Sequence, residues 1–298
     1  MYPIQGREVT ILKVEVYKLN AFTQNIEGGN TAGVVLNADE LSEIQMQELA
    51  RLVGFSETAF LTISEKADYK VRFLTPSAEV DLCGHATIAT FGLLLQKGML
   101  PGVEYTQETK AGILKIRVRG NEIYMQQLMP LYFEIIDREE IIGCLGIDKN
   151  DLEDKLPIQV VSTGLKDIFV PLKREEILQN LNPDMDKIEA ISKKVGVVGL
   201  HVFTAANNAD KTAVCRNFAP LYGIPEESAT GTSNGALACY LYKYGILKEG
   251  SKDAIFQQGI YMNKPSEIIA RLDLKDGKLE AVWVGGEAVL IGKRLYQI

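Results

Sequence analysis

The sequence is poor in the residues that build metal and redox centres. It has two histidines, His85 and His201, and four cysteines, Cys83, Cys144, Cys215 and Cys239, which stand far apart with no C-x-x-C pair. Such a set shows no spacing that assembles transition-metal ligands, so no metal is expected, and the cysteine usage fits a reducing compartment better than a disulfide scaffold. No run of basic residues exceeds three, and 32 Lys+Arg against 39 Asp+Glu leave a net charge of -7. That balance argues against a nucleic-acid partner. The N-terminus, Met1-Tyr2-Pro3-Ile4-Gln5-Gly6-Arg7-Glu8, lacks a basic stretch leading into an apolar one. No segment approaches the roughly 18 apolar residues of a membrane span, so the expectation is a soluble cytoplasmic protein. What is present is globular: 298 residues, 46% hydrophobic and 24% charged. At about 150 residues per domain, this length favours two domains or one large one.

The chain repeats itself at about half its length. Residues 46–62 align with residues 188–204 at an offset of 142, so that Gly54 meets Gly196 and Thr62 meets Thr204. Each copy reads as a helical period, a glycine stop in the usual left-handed position, and an apolar strand. The helix starts are local: Ser42-Glu43-Ile44-Gln45 has a capping-box pattern, and Asn182-Pro183 sets a cap residue before a first-turn proline. Further on, Cys83-Gly84-His85 and the helix to Gly98 align with Thr230-Gly231-Thr232 and the helix to Gly245 at an offset of 147. Upstream, Gly28 to Leu36 aligns with Gly164 to Leu172 at an offset of 136 with few identities. Drifting offsets of this size describe a duplicated α+β unit, not a short-period solenoid. Strand-rich runs are expected at Thr10 to Ala21, Lys70 to Thr75, Ile113 to Gln127, Gln159 to Leu172 and Glu280 to Ile291. One mostly apolar helix, Ala86 to Lys97 or Asn234 to Tyr244, is expected inside each sheet, since Leu93-Leu94-Leu95 leaves little polar face. Domains are expected over residues 1–129 and 130–285, with residues 286–298 returning as a strand to the first.

Two equivalent loops carry the chemistry. Asp81-Leu82-Cys83-Gly84-His85-Ala86-Thr87 and Glu226-Glu227-Ser228-Ala229-Thr230-Gly231-Thr232-Ser233-Asn234-Gly235 each feed a helix. A helix N-terminus offers unpaired N–H groups and the positive end of its dipole, so two such ends meeting in one cleft suit a small anion. Either loop alone reads equally as an ordinary tight loop. Glu57 follows Ser56 at the mouth of Thr58-Ala59-Phe60-Leu61, where desolvation would raise its pKa toward values useful for proton transfer. Its counterpart is Gly199, so only one half brings this acid; the residue type by itself is equally compatible with a solvated loop position. His85, at a helix start, has its imidazolium disfavoured by the dipole and reads as neutral, either a cap residue or a hydrogen-bond donor. His201, in the apolar strand Val197 to Phe203, is assigned to structure, as is Cys215 in Thr212-Ala213-Val214-Cys215.

Several motifs in register resemble the PhzF-like phenazine-biosynthesis isomerase family. They are Asn20-Ala21-Phe22-Thr23, Gly29-Asn30-Thr31-Ala32-Gly33-Val34-Val35, Ser56-Glu57-Thr58-Ala59-Phe60, Cys83-Gly84-His85-Ala86-Thr87, Ala229-Thr230-Gly231-Thr232, Gln258-Gly259 and Val284-Gly285-Gly286. The resemblance implies the diaminopimelate-epimerase fold: two pseudo-symmetric α+β domains, each a β-sheet wrapped around a central helix, with the site between them and no cofactor. It implies that Glu57 is the acid/base. His85, Glu227 and Thr232 would hold substrate polar groups, N–H groups at Gly84, Gly231 and Thr232 would bind a carboxylate, and Asn30 and Gly259 would line the cleft. Glu227-Ser228 stands where the family usually has Asp-Pro, Thr232 where it has Ser, and Thr31 where it commonly has Pro. The longer acid shifts its oxygens by about one methylene, over an ångström.

The leading expectation is therefore a cofactor-independent isomerase moving a proton within a small carboxylated, possibly cyclic dihydroaromatic, metabolite. The alternatives are an amino-acid racemase or epimerase and a non-catalytic small-molecule binding protein. A two-thiol racemase is disfavoured, because Cys83 at the first thiol position faces Thr230 at the second, and a hydroxyl is far too weak an acid to replace a thiol. The expected partner is a small metabolite, and a homodimer is the expected assembly.

Overall fold

The computed structural model describes residues 12–206, 210–248, 250 and 253–298. The N-terminal residues read above and the beginning of the strand expected from Thr10 lie outside the described residues. The first half runs β1 (Lys13–Ala21), β2 (Asn30–Val35), α1 (Glu43–Val53), β3 (Glu57–Thr62), β4 (Tyr69–Leu74), β5 (Glu79–Val80), α2 (Gly84–Gln96), β6 (Glu104–Thr109), β7 (Gly112–Arg119) and β8 (Glu122–Gln127). The second runs β9 (Leu131–Ile135), α3 (Arg138–Leu145), β10 (Gln159–Ser162), β11 (Lys166–Leu172), α4 (Glu175–Gln179), α5 (Met185–Val195), β12 (Gly199–Ala205), β13 (Ala213–Ala219) and β14 (Ile224–Glu227). It continues with α6 (Gly231–Lys243), β15 (Ala254–Gln258), β16 (Ser266–Lys275) and β17 (Lys278–Gly286), and the chain closes on β18 (Ala288–Gln297).

Three of the long strand-rich runs are two strands each and not one. Two are hairpins, β7 with β8 and β10 with β11. The third breaks at Glu287, after which β17 stays paired with β16 and β8 while β18 goes to β1.

The strand order shows the repeat. From one end the pairing runs β18, β1, β2, β3, β4, β6, β7, β8, then crosses to β17, β16, β15, β13, β12, β11, β10 and β9. The two halves have matching pairings. β2 is parallel to β3 as β11 is to β12, and β4 is parallel to β6 as β13 is to β15. β8 and β17 join the halves as an antiparallel pair. The outermost strands also correspond, β18 lying antiparallel to β1 and β9 antiparallel to β10.

Each half encloses one helix. α2 packs on β1, β2, β3, β8 and β18, and α6 on β10, β11, β16 and β17. Every residue of α2 from His85 to Leu94 is buried, and so is every residue of α6 from Ser233 to Leu241. A helix surrounded by sheet has no solvent side to keep polar, which is why these segments lack amphipathic patterning. They begin two and three residues earlier than expected, at Gly84 and Gly231, because the small residues of the loops themselves form the first turn.

The outer helices are amphipathic and locally specified. Ser42 caps α1 through a complete capping box with Gln45, and Gly54 ends it in the left-handed region at φ 72°. α5 ends in the same way at Gly196, φ 73°. It starts at Asp184, not at Asn182: the Asp184 side chain accepts from the Lys187 N–H, and its own N–H donates to the Cys144 carbonyl. A carboxylate that caps the first turn and also favours the dipole displaces the Asn-Pro alternative.

Candidate active site

Glu57 is placed by a short chain of local events. The Gly54 turn ends α1, residues 55 and 56 cross over, and Glu57 enters β3 opposite Ala32 of the parallel strand β2. Its Oε2 lies 3.2 Å from His85 Nε2, and its side chain is 18% exposed. That oxygen is shielded from solvent yet receives no well-directed hydrogen bond, so the contact is one of close charge with a lone pair still open. Cys83 completes the group, with Sγ 3.4 Å from His85 Nδ1 and 3.9 Å from Nε2.

The electrostatics differ from the sequence-based expectation in two respects. Burial pushes the Glu57 carboxyl up, but His85, aided by Ser56 and Cys83, outweighs it and holds the pKa below the ordinary 4.5. Burial also opposes the His85 imidazolium, yet Cys83 and the Glu57 carboxylate raise its pKa well above 6.5. The dipole argument for a neutral His85 thus loses to a carboxylate at contact distance, a charge nearer and larger than a helix end. The Cys83 thiol is pushed up by burial.

The second half contributes a different group. Glu227, the last residue of β14, accepts from Asn30 Nδ2 at 3.1 Å and from Thr230 Oγ1 at 2.7 Å. Asn30 opens β2, so this contact bridges the two halves; its amide also reaches the Ala229 carbonyl at 3.2 Å. Burial raises the Glu227 pKa, His85 and Thr230 lower it, and the Glu57 carboxylate raises it further. Glu57 and Glu227 therefore share one electrostatic environment and are pushed in opposite directions, the arrangement that separates a base from an acid.

Both helix ends are open. Cys83 and Thr230 occupy the N-cap positions in extended conformation, and neither side chain caps the helix, so the first-turn N–H groups at Gly84, Gly231 and Thr232 are left for other acceptors. The Thr232 carbonyl accepts from Thr163 Oγ1 at 3.1 Å. Gly259 is buried at φ 73°, and a Cβ there would lie 2.3 Å from the Lys264 carbonyl oxygen and 2.6 Å from that of Ser228. It lets the second loop close from behind.

The motifs assign no role to several supporting residues. Gln258 donates to the Glu227 carbonyl at 2.8 Å and to Thr230 Oγ1 at 3.0 Å, and its Oε1 accepts from Asn234 at 2.8 Å. Beneath α6, Ser233 donates to Asp167, and Asn217 Nδ2 lies 3.1 Å from His201 Nδ1. Burial raises Asp167 to about 7. His201 is pushed down to about 3 by the same cause, in keeping with its structural assignment. The one available signal was a polar residue, Asp167, inside the apolar strand β11. Ligand atoms of Glu57, on β3, and of Cys83 and His85, at the start of α2, all lie within 4.8 Å of one another. Cys144, Cys215 and Cys239 are buried free thiols.

An open cavity of about 440 Å³ lined by Thr23, Glu122, Glu267 and Glu287 contains none of these site residues. Among the described residues, no helix is long and apolar enough to cross a membrane.

Comparison with known proteins identifies the family. The family described as "Phenazine biosynthesis-like protein" matches residues 19–294. An uncharacterized isomerase, YddE, of Escherichia coli (strain K12) is 34% identical over 289 residues, covering 94% of this chain and 97% of its own. The trans-2,3-dihydro-3-hydroxyanthranilate isomerase of Pseudomonas chlororaphis is 28% identical over 281 residues, covering 92% and 96%. The crystal structure of the Bacillus anthracis phenazine biosynthesis protein of the PhzF family superposes with a TM-score of 0.86 at 32% identity, covering 96% of this chain and all of that one. The chain belongs to the PhzF family, has the diaminopimelate-epimerase fold and is an enzyme of the isomerase class.

Proposed function

We propose that this PhzF-family isomerase moves a proton within a small carboxylated metabolite, with Glu57 as both base and acid. The observation that carries the reading is Glu57 Oε2, shielded from water, 3.2 Å from His85 Nε2 and without a directed hydrogen bond. Such a lone pair is held in place and is free to accept a proton.

In the proposed transfer, the Glu57 carboxylate takes a proton from a carbon activated by the substrate's unsaturation. The C–H electron pair enters the adjoining double-bond system, and the Glu57 acid returns the proton at the far end. Nothing is oxidised, and no second reactant is consumed. His85 holds the carboxylate in position and balances its charge. Glu227, whose pKa burial raises, faces a substrate oxygen, and the open N–H groups at Gly84, Gly231 and Thr232 receive the substrate carboxylate. Asn30 fixes Glu227 from the opposite half, and Gly259 shapes the loop that carries it.

The hydroxyl of Thr230 is engaged by Glu227 and Gln258, so it is not a free acid opposite Cys83. This favours single-carboxylate transfer over a two-thiol racemase.

The test is solvent-deuterium incorporation into a panel of small cyclic and α-amino carboxylic acids, followed by mass spectrometry. Glu57→Gln should lower exchange by about two orders of magnitude or more while the fold and ligand binding persist. Exchange at the wild-type rate in that variant would overturn the role of Glu57.

A further inference from the structure

The group Glu57, Cys83 and His85 has a property that proton transfer does not require. Its three ligand types, carboxylate, thiol and imidazole, converge from β3 and from the start of α2. The His85 Nε2 is 3.2 Å from Glu57 Oε2 and 3.9 Å from Cys83 Sγ. In a tetrahedral zinc site with bonds of about 2.0 to 2.3 Å, ligand atoms stand roughly 3.3 to 3.6 Å apart. Cys83 Sγ stands nearer His85 Nδ1, at 3.4 Å, and the three ligand atoms lie within 4.8 Å of one another, so closing on one cation takes a turn of the His85 ring and a shift of about an ångström or more. Two of the three residues, Cys83 and His85, are more than nine-tenths buried at 8% and 6% exposure, and the Glu57 oxygen is shielded with its lone pair unused.

We infer that Glu57, Cys83 and His85 form a capture site for a single borderline or soft divalent cation, of the zinc or cadmium type. The inference rests on this geometry and not on the proton-transfer reading. Binding replaces both the thiol proton and the proton on the ligating His85 nitrogen with the metal, and both protons leave to solvent. The resulting thiolate sits at the N-cap of α2, where the uncapped first-turn N–H groups stabilise it. Three protein ligands leave a fourth position for water or a substrate oxygen. Magnesium and calcium are poor occupants, because they want six or more oxygen ligands and this set offers one carboxylate. Occupancy takes the lone pair of Glu57, so a bound cation and proton abstraction by Glu57 exclude each other. Trace zinc would silence such an enzyme, and a chelator would restore it.

The direct experiment is titration of the intact protein with cadmium, read by the ultraviolet charge-transfer band of a cadmium thiolate, with no substrate present. A band saturating at one equivalent per chain is expected. It should be lost in Cys83→Ser, weakened in Glu57→Gln, unchanged in Cys144→Ser, displaced by zinc and unaffected by excess magnesium. Folding of each variant is checked by circular dichroism, and the Cys144→Ser control separates this site from the other thiols. No band in the wild type, or a band that survives Cys83→Ser, overturns the inference. The band is read without turnover, so its absence leaves the Glu57 exchange experiment standing, and failure of that experiment leaves the band standing.

Discussion

The two enclosed helices are twins in frame and opposites in chemistry. α2 and α6 have the same length, start 147 residues apart, and both begin at an uncapped loop of small residues. Yet the first end carries Cys83, His85 and, across from it, Glu57, while the second carries Thr230, Thr232 and a bare Gly199. The difference continues beneath the surface. In the first half His85 holds the Glu57 pKa down, and in the second burial pushes acids up, Glu227 in the cleft and Asp167 under the helix. Repetition of a fold thus supplies two equivalent uncapped helix ends, and departures from the repeat give the two sides different ionisable groups.

The largest effect should come from trying to erase the difference at Gly199. A Cβ there would stand 1.8 Å from the Phe218 carbonyl oxygen, a backbone atom that cannot step aside. Gly199→Ala should cost more than about 3 kcal/mol in urea unfolding, whereas Glu57→Ala at the matching place should leave a folded protein. Equal stabilities would show the two positions to be sterically interchangeable.

Asp167 gives the next effect, and its sign follows from linkage. Its folded pKa of about 7 lies above the ordinary 3.8, so between these values the native state holds a proton that the unfolded chain has lost. Stability from this group is therefore full below about pH 4 and declines as pH rises to about 7, a loss on the order of 4 kcal/mol. Asp167→Asn should remove that decline, gaining on the wild type between pH 4 and pH 8 in chemical denaturation. Parallel pH curves for the two proteins would mean that Asp167 is not held neutral.

Smaller effects separate the two glutamates. A glutamine mimics a neutral carboxylic acid as donor but not a carboxylate as base. Glu227→Gln should keep solvent exchange within about tenfold of wild type, against the hundredfold or greater loss in Glu57→Gln. A deeper loss at Glu227 would make it the proton carrier. Smallest are the outer helix caps: Ser42→Ala and Asp184→Ala should each cost about 1 kcal/mol by thermal melting, one per half.

Legibility followed the range of the interactions. The α1 start at Ser42 and the glycine stops at Gly54 and Gly196 are short-range events within a few residues, and they stand where the sequence places them. The weakest of the three repeat alignments also corresponds to real strands, β2 and β11, each parallel to the strand that follows its outer helix. The start of α5 failed because two cap candidates two residues apart compete, and a tertiary contact, the Asp184 N–H on the Cys144 carbonyl, favours one. The charge states failed for a similar reason. Glu57 was expected to be raised by burial and His85 to stay neutral, and both expectations considered each residue without its partner.

Sequence by itself determined the repeat, the two enclosed helices, the two small-residue loops and the family, because periodicity, glycine stops and spaced motifs are written along the chain. Only the tertiary structure decided that Asn30 reaches Glu227, that Gln258 ties the second loop together and that Cys83, His85 and Glu57 share one pocket of charge. Those contacts join residues brought together from separate segments, and the pKa of a buried acid is set by what lies a few ångströms away in space, whatever its distance along the chain.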